Sequence, residues 1–414
     1  MCIEDRLRMQ VIKYTQDMVN IPTENKPPKG YEQMGQEYVK KELLQLGLSV
    51  QEIGPYDIPD FNKNPAFSHE RDYTDRKNVI GIWKGTGGGK SVLLTGHMDV
   101  APKEPMEWKV CEPYESVVKN GRIYGRGTAD MKGGLACALS AIKTLKEKGF
   151  TPKGDIIFET VVDEEYSGAN GTLASRMSGI NADFGIILEP TGLDICPGCV
   201  GSMVYRMTIT GNAGMPYTGE KISNPILDMR TLLNVLKEYD KTRMSVLKKP
   251  KLWDKTEQEA QLIMMKLKAG EVEPSGQLSA PVNAWTELVI QTYPNETEEE
   301  VVDYFLDFIK KHYPYHENLN IEAMYHYCKA AQSDLDFPGI DILHNKAKKY
   351  IDSPVICGAM FSCDLYALNE YGNMPGVIFG PKGERLHGPD EWVDIDSQIK
   401  VTQTLLDFIS DWCG

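Results

Sequence analysis

The sequence predicts an α/β protein: a mainly parallel sheet covered by helices, interrupted by an inserted α+β domain. Three observations carry this. Short apolar, β-rich runs alternate with helical stretches, the pattern of strands buried on both faces. The middle of the chain switches to two-residue alternation closed by turn residues. The 414 residues exceed what one hydrophobic core usually supports. The predicted boundaries are 1–199 for the first part of the larger domain, 200–323 for the insertion and 324–414 for the second part.

Taken in order, residues 31–46 show helical period through Met34, Tyr38, Leu43, Leu44 and Leu46, with Gly47 as the stop. Strand-like runs follow at 79–83, 92–94, 156–162, 184–188 and 377–379. Helical stretches at 131–148, 172–177 and 340–350 fall between several of them. In the middle, Met203, Tyr205, Met207 and Ile209 alternate with Val204, Arg206, Thr208 and Thr210 up to Gly211. A helix is predicted over 225–239, then a polar, Lys-rich connection to about residue 275. A second alternating strand over 284–291 ends at Tyr293-Pro294, and 297–311 reads as strongly helical. Gly85-Thr86-Gly87-Gly88-Gly89-Lys90-Ser91 fails as a phosphate loop, because its first glycine would be Lys84 and a strand follows. It reads instead as a glycine-rich hairpin joining two strands.

Composition excludes several function classes. With 45 Lys+Arg against 59 Asp+Glu, the net charge is −14, and no basic stripe suits a phosphate backbone. No apolar run reaches the ~18–20 residues of a membrane span. The start, Met1-Cys2-Ile3-Glu4-Asp5-Arg6, carries charge at once, so a cytoplasmic protein is expected. Nine scattered cysteines fit reduced thiols, and Cys196-Pro197-Gly198-Cys199 reads as two reduced cysteines in a turn.

The chemistry stands where strands end. The run at 92–96 leads into His97-Met98-Asp99, Gly125–Ala129 into Asp130, and 156–162 into Asp163-Glu164-Glu165. The run at 184–188 leads into Glu189-Pro190, and 377–379 leads through glycines to Arg385-Leu386-His387. Ligand crevices in open α/β sheets lie outside the carboxyl ends of the strands. Three acids at a buried strand end repel one another unless a cation sits among them. Two histidines and three carboxylates suit zinc or a similar divalent ion. Two such ions against Asp130, Glu165 and Glu189 leave one positive charge, which one hydroxide neutralises.

These segments, Gly-His-Met-Asp-Val at 96–100, Gly-Arg-Gly-Thr-Ala-Asp-Met-Lys-Gly-Gly at 125–134, Asp-Glu-Glu at 163–165, Glu-Pro-Thr at 189–191 and Leu-His-Gly-Pro-Asp-Glu at 386–391, resemble the M20 metallopeptidase family. The resemblance spans nearly the whole chain, in order. It implies a metal-dependent hydrolase of an amide or related C–N bond in a small molecule. It also implies two zinc ions per subunit, with Co2+ or Mn2+ as substitutes. The insertion would be a lid and dimerisation domain, hence a homodimer. Asp130 would bridge the metals; His97 and Glu189 would bind one, and Glu165 and His387 the other. Asp99 would orient the His97 imidazole, Glu164 would be the general base, and the peptide after Asp130 would be cis. Two further readings remain open: a dipeptidase or carboxypeptidase, and a metal- or ligand-binding homologue without turnover.

The lid departs from the family pattern. Met215 stands where the family places a histidine that reaches the active site, usually that of the partner subunit. Leu278 and Gln291 replace an Asn and an Arg, and Asp364-Leu365-Tyr366 stands for an Asp-x-Arg. Two arginines able to grip a substrate carboxylate are thus missing. The expected substrate is therefore not a standard N-acyl amino acid held by its α-carboxylate. It is expected to be neutral, aromatic, or held by Arg385, Lys382, Tyr366 or Trp285, and the substrate-binding candidates are Arg385, Tyr366, Asp364, Gln291 and Met215. Asn212, Tyr217, Asn283, His312, His316 and His326 are candidates for the missing oxyanion donor.

Overall fold

In a computed structural model of the chain, four parallel strands lie side by side in the order Gly376–Ile378, Phe184–Ile187, Val92–His97, Ile156–Val161. Residues 3–103, 105–168, 170–212, 219, 222–256, 261–270 and 280–414 are described. The four strands are almost wholly buried, which is why they read as continuous apolar runs rather than alternating ones. The sheet is mixed at its margins. Asn78–Trp83 joins Ile156–Val161 antiparallel, followed by Ser49–Ile53. On the other side Ile195–Cys199 lies antiparallel to Gly376–Ile378 and pairs in turn with Ile356–Ala359 and Ala331–Gln332.

This order corrects the hairpin reading of residues 85–91. Asn78–Trp83 and Val92–His97 are not partners, because Ile156–Val161 lies between them. A strand about sixty residues downstream takes the place that a local turn signal suggested. The helices are close to their expected spans: Gln33–Gln45, Gly133–Glu147, Asn170–Met177 and Pro338–Ala347. Gly47, at φ 73°, ends the first of these in the left-handed conformation glycine favours. Ile3–Val19, Gly133–Glu147 and Ile395–Trp412 pack on one another. Among the described residues no helix is long and apolar enough to cross a membrane.

The chain divides into two compact units, Met1–Cys199 with Ala331–Gly414, and Val200–Ala330. The second crossing thus falls after Ala330 rather than at 323, because Ser202 and Cys328 exchange backbone hydrogen bonds and hold that segment to the inserted unit. The inserted unit is a four-stranded antiparallel sheet in the order Leu262–Ala269, Asn283–Thr292, Gly201–Thr210, Leu319–Ala323. Its core gathers Met207, Ile209, Leu232, Leu236, Tyr239, Leu288 and Phe305 from sheet and helices. The helix Glu298–His312 starts at a capping box between Thr297 and Glu300. Its acidic first turn and basic last turn both match the helix dipole.

The strand Leu262–Ala269 falls where the sequence suggested only a polar connection. It is an edge strand, exposed along most of its length and bulged between Met264 and Lys266, so no buried period marks it.

Candidate metal centre

Because the four central strands are parallel and adjacent, their carboxyl ends deliver His97, residues 163–165, Glu189 and the 379–388 loop to one edge. Asp130 arrives from the turn Thr128–Lys132 that precedes the helix Gly133–Glu147. The peptide after Asp130 is cis. Glycine is needed just beyond it: a Cβ on Gly134 would sit 1.9 Å from the Leu188 carbonyl oxygen. Only a bare backbone lets this helix start against the residue preceding Glu189.

His97 is the hub. Its Nδ1 donates to the Asp99 carbonyl oxygen at 2.8 Å, which directs Nε2 toward the acids. Nε2 lies 3.0 Å from Asp130 Oδ1, 3.4 Å from Glu189 Oε1 and 3.9 Å from Glu164 Oε2. The other oxygen of Asp130 lies 3.1 Å from His387 Nε2, and Glu165 Oε2 lies 2.9 Å from the same nitrogen. Asp130 therefore faces a different imidazole with each carboxylate oxygen.

The electrostatics ask for a cation. Burial pushes the Glu189 carboxyl up to about 7, with the Asp130 charge adding and His97 opposing. Glu164 is raised well above the ordinary range, first by burial and then by Asp364, Glu189 and Glu165, against the pull of His97. Burial works against protonation of His97, yet Glu189 and Asp130 outweigh it and raise its proton affinity. For His387 the charge of Glu165 is the largest influence in the same direction. Acids and imidazoles thus hold one another through shared protons, a place that divalent ions would take. His97, Glu164 and Glu189 form one set whose ligand atoms all lie within 4.8 Å, and His97, Asp130 and Glu165 form another. Nitrogen and carboxylate donors in this mixture fit zinc or a related divalent ion.

Asp99 reaches the His97 imidazole through its main chain. Its backbone carbonyl, not its carboxylate, holds the His97 ring; Oδ1 is 3.8 Å from Nδ1. The carboxylate instead accepts from the Glu164 and Glu165 backbone amides at 3.2 and 3.0 Å and from Asn25 Nδ2 at 2.7 Å. Asp99 therefore fixes the loop that carries both glutamates.

Asp163, the first acid of the triplet, finds its cation in protein. Arg71 Nε lies 3.0 Å from both of its oxygens, Arg76 Nη2 is 2.8 Å from Oδ1, and Tyr73 donates at 2.5 Å. Asn25 Nδ2 donates to Asp163 at 2.9 Å as well as to Asp99, so one amide joins the two acids. Arg76 also pairs with buried Glu32. Asn25, Arg71 and Arg76 were not marked by the sequence reading.

Glu391 was missed too, although it closes the Leu-His-Gly-Pro-Asp-Glu segment. The strand Trp392–Asp394 pairs antiparallel with Arg122–Tyr124, which sets Glu391 against the Asp130 turn. Its carboxylate accepts from the amides of Gly127, Ala129 and Asp130 at 3.0, 2.9 and 3.2 Å and pairs with Arg126 at 2.8 Å. Substituting Glu391→Gln removes the charge that this buried arginine needs and loosens the turn. We expect a 10- to 100-fold loss of metal affinity, roughly what removal of a ligand's support costs. Metal titration of the stripped variant checks this, and unchanged affinity would dismiss the role.

The expected substrate residues have the following surroundings, each within its own unit. Tyr366 is fully buried and donates to the Gly168 carbonyl at 2.8 Å, so it supports the loop after Glu165 rather than facing a substrate. Asp364 is buried and accepts from Thr172 at 2.5 Å; burial pushes its carboxyl up to about 6. Arg385 shares the His387 loop with an exposed side chain, 3.3 Å from the Pro389 carbonyl and 3.5 Å from Asp390. Gln291 lies in the inserted unit, where it pairs with Ser202 across the sheet. Met215, Tyr217 and Leu278 lie outside the described residues. Of the other donors, Asn212 accepts from the Ser223 amide at 2.5 Å and His312 stacks on Phe308.

Comparison with known proteins agrees with this geometry. The family model described as Peptidase family M20/M25/M40 matches residues 93–411. Over 98% of its length the chain is 26% identical to N-formyl-4-amino-5-aminomethyl-2-methylpyrimidine deformylase of Bacillus subtilis, covering 95% of that protein. The protein of the same name from Halalkalibacterium halodurans is 28% identical, with 99% and 96% covered. Among solved structures, the di-peptidase Dug1p from Saccharomyces cerevisiae superposes with a TM-score of 0.80 at 15% identity, covering 99% of this chain and 97% of that one.

Proposed function

The chain belongs to peptidase family M20/M25/M40 and is a metal-dependent hydrolase of C–N bonds, and from that premise we propose that it removes a small acyl group, formyl foremost, from an uncharged heteroaromatic amine. The observation that carries this reading is the near full-length similarity to two formyl-aminopyrimidine deformylases; the absence of the arginines that the resemblance implies is in keeping with it. Gln291 and Tyr366 stand in the sequence where the resemblance implies those two arginines, and neither carries a charge for a carboxylate.

Two divalent ions, zinc in this reading, would be held by His97, Glu189 and Asp130 and by Asp130, Glu165 and His387; such ions polarise a carbonyl and acidify water. Asp130 would serve both sites, since one of its oxygens faces His97 and the other His387. Glu164 takes the proton of the attacking water at a carboxylate oxygen and returns it to the departing amine nitrogen. Asp99 holds Glu164 at its backbone amide, so the base keeps its place while its proton moves.

The test is a substrate panel. Metal-loaded protein is offered N-formyl and N-acetyl aminomethylpyrimidines, N-acetyl and N-succinyl amino acids, and dipeptides, with products identified by mass. The expected order in kcat/KM places the formylated pyrimidine above every carboxylate-bearing substrate, and a chelator abolishes turnover. Preference for an N-succinyl amino acid or a dipeptide would overturn the reading.

We assign the inserted unit as lid and dimerisation unit. The edge strand Leu262–Ala269 supports this, since it exposes Ile263, Met264, Met265 and Leu267, and apolar edges of this kind are normally covered. Sedimentation should give a dimer that Leu267→Lys weakens; a monomer at micromolar concentration would exclude it.

A further inference from the structure

Two thiols outside the metal centre meet across neighbouring strands. Cys196, in Ile195–Cys199, is 3% exposed. Its Sγ lies 3.8 Å from Sγ of Cys357 in the parallel strand Ile356–Ala359. The Cys-x-x-Cys at 196–199 is thus part of a strand rather than a turn, and its first cysteine meets a thiol 161 positions along the chain. Sulfurs in van der Waals contact need to approach by only about 2 Å to bond. Cys357 is partly exposed, whereas Cys196 is not.

The two sulfurs are unequal in a second way. The Cys196 thiol lowers the proton affinity of Cys357 by hydrogen bonding to it, while the same contact and burial raise that of Cys196. A partly exposed thiol beside a buried one is the arrangement that lets one sulfur react and the other resolve. A second pair, Cys199 with Cys363, provides an internal comparison: those sulfurs also interact, but the residues are 0% and 1% exposed.

We propose that Cys196 and Cys357 are a redox modification site, closing a reversible disulfide when Cys357 meets a hydroperoxide. The Cys357 thiolate attacks one peroxide oxygen; the O–O bond breaks and the alcohol or water leaves after taking up a proton. This yields a sulfenic acid on Cys357. The Cys196 sulfur then attacks the Cys357 sulfur, the S–O bond breaks, and water departs with the Cys196 proton. Two electrons, one from each sulfur, have reduced the peroxide. The bond joins the last strand before the inserted unit to a strand that follows it, so it closes a covalent loop around the whole insertion.

The experiment uses the full-length, metal-loaded protein with hydrogen peroxide, followed by thiol blocking and peptide mass mapping. The expected product is a peptide pair joined through Cys196 and Cys357, two hydrogens lighter and separated by dithiothreitol, with Cys199 and Cys363 unmodified. In Cys196→Ser, dimedone should trap the sulfenic acid on Cys357; in Cys357→Ser, Cys196 should label at least about tenfold more slowly, as burial demands. Sulfinic acid on Cys357 without a crosslink in the unmutated protein would overturn the proposal. So would a crosslink through Cys199, or equal labelling of the two variants. The mapping on unmutated protein stands even if a variant fails to fold.

Discussion

Replacing Glu164 by Gln should lower kcat by roughly 10²- to 10⁴-fold, the range a positioned general base contributes, while the metal content stays that of the parent protein. The amide has nearly the shape of the carboxylate and leaves intact the backbone hydrogen bond from residue 164 to Asp99. It lacks a basic oxygen, so the attacking water keeps its proton. Because KM reflects binding more than proton transfer, it should change little. Metal analysis separates this role from ligation, since Glu164 also lies within reach of an ion shared with His97 and Glu189. Loss of one metal equivalent in Glu164→Gln would make Glu164 a ligand. Unchanged kcat would remove it from the chemistry.

The second large effect is expected far from any substrate. Asp163→Ala should destabilise the catalytic unit by about 3–5 kcal/mol, the usual cost of removing one partner of a buried ion pair. The reason is the guanidinium left behind. Arg71 is fully buried, with Asp163, Asn25 and the Tyr166 ring around it, whereas Arg76 keeps Glu32. Asp163 also has φ 70°, a conformation that alanine adopts less readily than aspartate. Removing both charges in Arg71→Met/Asp163→Ala should recover part of the loss, because an apolar replacement leaves no unpaired ion. Urea denaturation of the four proteins of this cycle gives the coupling. A single variant within about 0.5 kcal/mol of the parent would mean that the pair contributes as little as an exposed one.

That pair also shows where sequence reasoning stopped. Three consecutive acids after an apolar run announced a cation, and a metal was the expected one. Tertiary structure divides them: Asp163 takes Arg71 and Arg76, Glu164 faces His97, and Glu165 reaches His387. The strand ends at Val161, and the left-handed Asp163 followed by the turn at 164–167 sends adjacent acids to different neighbours.

The chain by itself determined which residues could converge. Each acid or histidine of the metal set follows an apolar strand or opens a helix, and parallel strands present those ends to one edge, so position along the sequence implied position in space. Only the tertiary structure decided what holds that set in place. Glu391 supports the Asp130 turn from 261 positions away, and Arg71 neutralises Asp163 from 92. The same holds for strand order, where Ile156–Val161 displaced the hairpin that a glycine-rich turn suggested. The physical reason is common to all three. Local signals record what the backbone can do with its neighbours, while buried charges and sheet pairings take whichever partner the completed fold brings within reach.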